Sequence, residues 1–298
     1  MRSKLLKAML AAGLLSSAAS ALASPISLPA GPLFIQYSNA EQYSNSNAIQ
    51  TTDASGQAVT EGNWGIMQVS IIQQGTALPP LGSDINGGGS TIFTNGQNGG
   101  NQITAIFYGA QSIPNTGNSI GGVIDLYWHD VGTANIGTEL AAGPGGKRTA
   151  QNAYTGFADP TGSTMTFLGE FLFSPGCDSI GINTICSATT PGSADGVAKS
   201  YQDVNLAAGG AWATTLNTNF FTLDANNNPL LPPADIRSAS NFTVNGASNW
   251  SVAGTDIIGL ASNDPIRTVA VPEPGSLALV GLALVGFAFS GRRSRKQA

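Results

Sequence analysis

The sequence is poor in charge, and above all in positive charge. Charged residues make up 10% of its 298 positions, and the stretch 24–270 holds five basic against sixteen acidic residues, a net charge of −11. Proteins that bind duplex nucleic acid rely on lysine and arginine to neutralise phosphates. This composition therefore excludes nucleic acid as a partner.

Histidine occurs only once, at His129. The segment Gly117–Gly121 (GNSIG) matches the G-x-S-x-G pattern of hydrolases, in which a strand precedes the serine, a helix follows it and a histidine assists it. Here a strand-like segment follows, and one extended strand would hold Ser119 and His129 roughly 30 Å apart. We interpret the segment as a turn leading into a strand, and His129 as a surface residue at the strand's end.

Long helical apolar patterns are also missing between the two ends of the chain, so helix should be scarce there. At the N-terminus, a basic start and an Ala/Leu-rich run end in Ala21-Leu22-Ala23. This order is typical of a secretory signal peptide. We predict that residues 1–23 are a signal peptide that signal peptidase removes after Ala23.

The C-terminal apolar run, Gly275–Ser290, has sixteen residues. As a helix it would span roughly 24 Å, which is shorter than the roughly 30 Å hydrocarbon core, although snorkelling basic side chains can make up the difference. We predict one short transmembrane helix, followed by a basic stop that stays in the cytoplasm. The membrane segment comprises Leu277, Leu279, Val280, Leu282, Leu284, Val285, Phe287 and Phe289, and the basic stop comprises Arg292, Arg293, Arg295 and Lys296.

The tail resembles a known sorting signal. Val271, Pro272, Glu273 and Pro274, the apolar run and the arginine cluster together are similar to a PEP-CTERM signal over residues 271–298. The resemblance implies export in a Gram-negative bacterium, transient contact with the inner membrane and cleavage by a membrane-embedded exosortase near the Pro-Glu-Pro triplet. Such proteins often accompany exopolysaccharide and biofilm, and similar tails are described as the C-terminal domain of ice-binding proteins. An ordinary single-pass anchor is the alternative.

The chain has two cysteines, Cys177 and Cys186, nine positions apart. In an exported protein an even cysteine count predicts a disulfide, which for so short a loop contributes about 3 kcal/mol. A metal site would need more ligands close to the two cysteines, and only Asp178 is nearby. Asp224 opens a stretch that resembles a calcium loop, but Pro229 occupies the position that requires glycine. We interpret that stretch as a turn, and expect neither a metal nor a cofactor.

The region 24–270 has the pattern of a β-rich domain, since short β-branched and aromatic runs alternate with Gly-, Asn- and Pro-rich breaks. It predicts an all-β fold, specifically a β-sandwich or jelly-roll-like domain. The predicted strands are Asn63–Gln74, Asn101–Ala110, Gly121–Val131 and Ser163–Phe173, with two short ones around Asn245-Gly246. The predicted loops are Leu78–Gln102, with a candidate strand at Ser90–Thr94, Ala141–Asn152 and Asp224–Asp235.

Alternation predicts the core face of two strands. In Gly121–Val131, we expect Ile124, Leu126 and Trp128 to face the core, and Val123, Asp125, Tyr127 and His129 to share the other face. In Ser163–Phe173, one side carries Met165, Phe167, Phe171 and Phe173, interrupted by Gly169.

These observations favour a non-enzymatic, exported surface or matrix protein with a structural or adhesive role. One alternative is a secreted carbohydrate-active hydrolase, for which a pair such as Asp125 and Glu170 would have to face each other across a sugar. Another is a lectin-like or ice-binding module. Thr164 and Thr166 form one Thr-x-Thr pair that, if exposed, is a candidate for contact with ice. The sequence does not identify a ligand for residues 24–270.

Overall fold

A computed structural model describes residues 26–52, 57–96, 101–129, 165–178, 181–189, 195–244 and 248–271. These residues form β-strands almost throughout, which confirms the all-β prediction. The strands are β1 Gly31–Ser44, β2 Ile49–Thr52, β3 Ala58–Glu61, β4 Asn63–Gln74, β5 Thr76–Leu78, β6 Asp84–Asn86, β7 Thr91–Thr94, β8 Gln102–Ser112, β9 Ser119–His129, β10 Met165–Ser174, β11 Ile185–Thr189, β12 Asp195–Val204, β13 Phe221–Leu223, β14 Pro229–Ala234, β15 Ile236–Val244 and β16 Ile257–Ala270. The helices are α1 Ala213–Leu216 and a 3-10 turn, Ser248–Trp250.

Eight long strands close into a single antiparallel ring. Their order is β1, β16, β15, β12, β10, β9, β8 and β4, and β4 pairs back onto β1. A sandwich or jelly roll has two sheets with free edges. The predicted all-β domain is therefore a closed barrel and has neither of these two architectures. The ring closes because β1 pairs along its length with β16 on one edge and with β4 on the other.

The inside of the barrel holds the main hydrophobic core. Side chains alternate along each strand, and β9 directs Ile124, Leu126 and Trp128 inward, as predicted. Inward residues of β1, β4 and β8 complete this core, among them Ile35 and Met67. The opposite side of β9 lies outside the ring.

Strand β10 departs from the predicted alternation. Its pairing with β9 shifts register between Phe167 and Gly169, and an extra residue at such a bulge changes which face the following side chains occupy. Leu168 and Phe171 therefore lie in the core, whereas Phe167 packs on the outer face against Tyr127, with ring centroids 5.5 Å apart. The prediction that Phe167 and Phe171 share a face was wrong for this reason.

One end of the barrel, which we call the closed end, is plugged by the residues around α1. Trp212 and Leu216 are each 1% exposed and belong to the main core. The Trp212 indole donates to the carbonyl of Ile26 over 3.2 Å. The opposite end, where β1 ends and β16 begins, is called the open end.

Two smaller cores lie outside the ring, under short hairpins. Trp64 and Trp250 pack together with ring centroids 5.5 Å apart, and Gln42 links them by accepting from the Trp64 indole and donating to the Trp250 carbonyl. Near β6, the Asp84 carboxylate pairs with Arg267 at 3.1 Å and with Arg237 at 3.4 Å. These contacts fasten the hairpins to the barrel wall.

The structure also tests several smaller predictions. The candidate strand at Ser90–Thr94 is confirmed as β7, and the predicted disulfide between Cys177 and Cys186 is present. The second strand predicted after Asn245-Gly246 was wrong, because Ser248–Trp250 forms a 3-10 turn that buries Trp250. The predicted loop Asp224–Asp235 contains β14, and the loop Ala141–Asn152 lies outside the described residues.

Candidate functional site

A cavity of about 170 Å³ lies inside the barrel, in its open half. Its deep part is formed by Tyr37, Met67 and Ile124, each at most 6% exposed. Its outer part is formed by Glu41 and Tyr43 near the end of β1, which are half-buried. The gradient from buried to half-buried residues indicates that the cavity opens to solvent at this end.

The cavity exists because small residues occupy inward positions in the open half. They are Ala198 and Ser200 on β12, and Ser238 and Ser240 on β15. The interior of an eight-stranded barrel is just wide enough to be filled by side chains or to hold one small ligand. Small side chains therefore leave space that large ones fill at the closed end.

Glycine is required where β4 passes Glu41. Gly65 lies directly opposite Glu41 in the β1–β4 pairing. A Cβ atom on Gly65 would lie 2.6 Å from the Cβ of Glu41 and 2.6 Å from the carbonyl oxygen of Ala40. No larger residue fits without moving the backbone, so Gly65 allows these two strands to pair closely beside the cavity.

One wall of the cavity is polar. Strands β1, β12 and β15 contribute hydroxyl, amide and carboxylate groups. Gln202 bridges two of the serines, since it accepts from the Ser238 hydroxyl over 3.2 Å and donates to the Ser200 hydroxyl over 2.7 Å. The Tyr37 and Ser240 hydroxyls are 3.5 Å apart, which is longer than the roughly 2.7–2.8 Å typical between hydroxyls.

The facing wall carries large apolar side chains beside the polar Asn63, Ser119 and Ser187. Met67, Phe107, Ile124 and Phe173 come from β4, β8, β9 and β10. The Phe107 and Phe173 rings lie 5.3 Å apart at an interplanar angle of 56°, a tilted arrangement that aromatic pairs favour. The cavity lining thus combines hydrogen-bonding groups with aromatic and aliphatic surface, and both kinds occur on each side, such as Phe242 on β15 and Ser119 on β9.

The carboxyl pair considered from the sequence does come together, on the outer face of the barrel. Asp125 on β9 is directly opposite Glu170 on β10, and the two carboxyl groups are within hydrogen-bonding reach. Asp125 is 3% exposed, and the Tyr108 hydroxyl donates to its Oδ2 over 3.1 Å. Asn205 donates to the Glu170 carboxylate.

Burial changes the acidity of this cluster. It raises the pKa of Asp125 to about 7, and the charge of the neighbouring Glu170 adds to the shift. Burial and then the Asp125 carboxylate also raise the pKa of Tyr108 and of Tyr127 well above the usual range for tyrosine. Asp125 therefore exchanges its proton near neutral pH.

The arrangement of the pair does not suit glycoside hydrolysis. That reaction needs carboxyl groups roughly 5 Å or roughly 6.5–9.5 Å apart, with the sugar between them. Asp125 and Glu170 lie within hydrogen-bonding reach of each other, and neither is among the described residues that line the cavity in the open half.

His129 is not a surface residue, contrary to the sequence interpretation. Its side chain is fully buried at the end of β9, and its Nε2 lies 2.6 Å from the Thr104 hydroxyl on β8. His129 is buried because the outer face of the sheet is also covered in this region. The alternation of side chains along a strand does not reveal such a cover.

Two motif-like segments form turns, as predicted. Ser119 begins β9 after a turn and is 2% exposed, as expected for a turn that leads into a strand. The Asp224 carboxylate accepts from the backbone amides of Asn226 and Asn228 and from the Asn228 side chain. The Asp224 carboxylate is therefore used within its own turn, whereas the Ser119 carbonyl accepts from the Thr184 amide and Ser119 lines the cavity.

The last barrel strand leads directly into the sorting signal. β16 ends at Ala270 at the closed end, and the Val271 amide donates to the Thr215 carbonyl in α1 over 2.8 Å. Val271 is the last described residue, so Pro272 and the rest of the predicted signal lie outside the described residues, as do Ala21 and Ala23. Among the residues described, no helix is long and apolar enough to cross a membrane.

A comparison with protein families decides the nature of this terminus. Residues 270–293 match the model of the PEP-CTERM protein-sorting motif. The chain carries a PEP-CTERM sorting motif. The PEP-CTERM motif indicates an exported protein that an exosortase processes, which confirms the resemblance seen in the sequence. No curated protein matches the chain.

Sequence reasoning found the PEP-CTERM motif and the carboxyl pair but missed the cavity. Its polar wall depends on β1, which was not identified as a strand, and on the small inward residues of β12 and β15. An available signal was the alternation of Ser238, Ser240 and Phe242, since side chains two positions apart share one face of a strand.

Proposed function

We propose that this chain is a non-enzymatic protein of the cell surface or extracellular matrix, released from the inner membrane when an exosortase cuts its tail. The observation that carries the proposal is the PEP-CTERM motif at residues 270–293. It starts at the last residue of β16, so the recognised tail follows a completed barrel. The cut falls near Pro272, Glu273 and Pro274.

The placement of the first and last described residues supports this proposal. Ile26, the first described residue, contacts Trp212 at the closed end, and Val271 is bonded to Thr215 at the same end. Signal peptidase and exosortase would therefore act at one end of the folded domain. The open end points away from the site of processing.

Within the matrix, the role we propose is structural or adhesive, in or near exopolysaccharide. The net charge of −11 over residues 24–270 favours divalent cations as bridges to acidic polymers and disfavours nucleic acid. Asp125 and Glu170 lie within hydrogen-bonding reach of each other, which disfavours this pair as the catalytic carboxyls of the hydrolase alternative.

Mass spectrometry of the protein from cells with and without the exosortase tests the sorting proposal. We expect the mature protein to end near the triplet only when the exosortase is present. A variant with Pro272→Ala, Glu273→Ala and Pro274→Ala should keep its tail, whereas Gln297→Ala should be processed normally. A tail that stays intact in both strains would refute processing.

The matrix role needs a separate measurement. We expect the exported protein to bind exopolysaccharide purified from the producing strain, and deletion of the protein to weaken floc or biofilm. A glycan array with and without calcium would identify the sugar. If the protein is processed but binds no glycan and its loss leaves the biofilm unchanged, the matrix role is wrong while sorting stands.

A further inference from the structure

Strand tilt brings aromatic side chains of different strands to one height in the cavity of the open half. Pairing through Ile124 on β9 sets Phe107 on β8 level with Phe171 on β10. The Phe107 ring nevertheless contacts Phe173, two residues nearer the open end, with ring centroids 5.3 Å apart. This displacement of two residues over two strands follows from the tilt of a closed barrel, whose strands run at roughly 35–45° to its axis.

The same tilt brings serines of β15 to the height of these rings. Pairing through β12 sets Phe173 level with Ile236, so a displacement of two residues over two strands reaches Ser238, with Ser240 as the next inward position. In the ring of eight strands, β15 lies directly across from β8. Ser240 and Phe107 therefore border the same part of the cavity from opposite sides.

The hydroxyl of Ser240 retains hydrogen-bonding capacity for a ligand. The neighbouring Ser200 and Ser238 are held by Gln202, in bonds of 2.7 Å and 3.2 Å. The Ser240 hydroxyl lies 3.5 Å from that of Tyr37, which is longer than the roughly 2.7–2.8 Å typical between hydroxyls. A hydroxyl has one donor and two acceptor positions, so Ser240 can bond a ligand hydroxyl in addition to its contact with Tyr37.

The space beside Ser240 suits a neutral ligand with one ring. The cavity volume is about 170 Å³, and an apolar cavity of roughly 150 Å³ is enough to bind benzene. Among the described residues that line the cavity, Glu41 alone has a charged side chain, and it lies four residues beyond Tyr37 on β1, roughly 13 Å along the strand. A charged ligand group beside Ser240 therefore has no partner of opposite charge among these residues, and burial of an unpaired charge is strongly unfavourable.

We propose that this cavity binds a small neutral phenol, with its ring among Met67, Phe107 and Phe173 and its hydroxyl bonded to Ser240. Aromatic rings pack favourably in tilted arrangements, and methionine sulfur also makes favourable contacts with rings. The cavity opens at the end of the barrel opposite the sorting motif, and the ligand enters there. This binding activity goes beyond the proposed sorting and matrix role and does not depend on it.

Calorimetric titration of the exported protein, with or without its tail, tests the ligand class. The probes are 4-methylphenol, toluene, benzoate and benzylammonium at neutral pH, which share one ring and the same number of carbon atoms. We expect 4-methylphenol to bind about fivefold more tightly than toluene, as one net hydrogen bond allows. Benzoate and benzylammonium should bind at least about tenfold more weakly than 4-methylphenol, because each buries an unpaired charge.

Variants locate the binding within the cavity. Ser240→Ala should lower the affinity for 4-methylphenol to that for toluene and leave toluene binding unchanged, because it removes the hydroxyl and no space. Ala198 lies directly opposite Ser240 in the pairing of β12 with β15, and Ala198→Leu should abolish binding of both probes by filling the cavity. Ser70→Ala is the matched control, since Ser70 does not line the cavity and its hydroxyl donates to the Gln36 carbonyl over 3.0 Å.

Several distinct outcomes would overturn the proposal. Equal affinity for 4-methylphenol and toluene, or tighter binding of either ion, would exclude a neutral phenol, and no binding of any probe would remove the site. A Ser240→Ala protein that binds 4-methylphenol as well as Ser70→Ala does would exclude Ser240 as the partner. Unchanged binding in a folded Ala198→Leu protein would place the ligand elsewhere. If Ala198→Leu does not fold, the Ser240→Ala comparison decides, and failure of exosortase processing has no bearing on any of these results.

Discussion

Asp125 illustrates how one position on a strand can set a pH dependence. Its side chain is on the outer face of β9, yet 3% exposed, beside Glu170 and two tyrosines. Tyr108 and Tyr127 hydrogen-bond the carboxyl group and partly stabilise its charged form. Burial and the Glu170 charge outweigh them, so the folded protein holds a proton that the unfolded chain releases at lower pH.

This difference predicts that Asp125 destabilises the fold at high pH. The group has an ordinary pKa of 3.8 and a folded pKa of about 7, so the folded state binds more protons between these values and loses stability as pH rises through them. Asp125→Asn, which stays neutral, should be more stable than wild type by roughly 2–4 kcal/mol at pH 8 and nearly equal to it near pH 4. Urea unfolding across this range measures the difference.

The Asp224→Asn variant is a control for which the expected change in stability at pH 8 has the opposite sign. Slight burial works against the charged form of Asp224, but hydrogen bonds from Asn228 and Asn226 outweigh it and lower its pKa. Its stabilising effect is present above the ordinary pKa and is lost as pH falls through the folded value. Asp224→Asn should therefore be less stable than wild type at pH 8. An Asp125→Asn protein that shows no gain at pH 8 would contradict the burial account.

At the scale of strands, β11 adds pairing to β12 where the contact between β10 and β12 is short. β10 and β12 pair only between Phe171–Ser174 and Tyr201–Val204. Towards the open end, β11 instead pairs with β12 over five residues and meets β9 at Ser119. The disulfide joins Cys186 in β11 to Cys177, just after β10. It thus ties β11 to the segment that follows β10, and both strands border the cavity.

Replacing both cysteines with serine should therefore lower stability and loosen β11. We expect a loss of about 3 kcal/mol in the free energy of unfolding, with faster amide exchange in Ile185–Thr189 than in β4 or β8. Denaturant unfolding and hydrogen exchange measure the two effects. Reductant should reproduce the loss in wild type and change nothing in the double variant. Equal exchange of β11 in both proteins would show that the strand holds without the crosslink.

The strands also show what sequence patterns can reveal. β4, β8, β9 and β10 were predicted because their inward residues are apolar and β-branched or aromatic. β1 and β16, the longest strands at 14 residues each, were not, because Asn39 on β1 faces its partner Ser262 on β16 inside the barrel. Pro265 within β16 further argues against a strand on sequence grounds. The polar residues that obscure the strand pattern of β1 and β16 in the sequence line the candidate site or lie beside it.

At the scale of the whole molecule, topology separates the sorting motif from the cavity. The chain enters and leaves the barrel at the closed end, beside Trp212 and Thr215. The cavity opens at the other end of the same strands, and 14 residues of β16 span roughly 45 Å at about 3.3 Å per residue. Sorting at one end therefore leaves the cavity accessible at the other, and the closed ring explains why small residues inside it leave a cavity without exposing strand edges.

The position of β16 predicts where the chain can be shortened. β16 is the strand that joins β1 to β15, and Val271, the last described residue, donates its amide to the Thr215 carbonyl in α1. A chain that ends at Val271 should keep the unfolding temperature of the full protein within about 2 °C, less than a 1 kcal/mol change would cause. A chain that ends at Asp256 lacks β16, leaves the edges of β1 and β15 unpaired and should not fold. Circular dichroism and thermal unfolding distinguish these results. Loss of structure in the chain that ends at Val271 would mean that the tail contributes to the fold as well as to sorting.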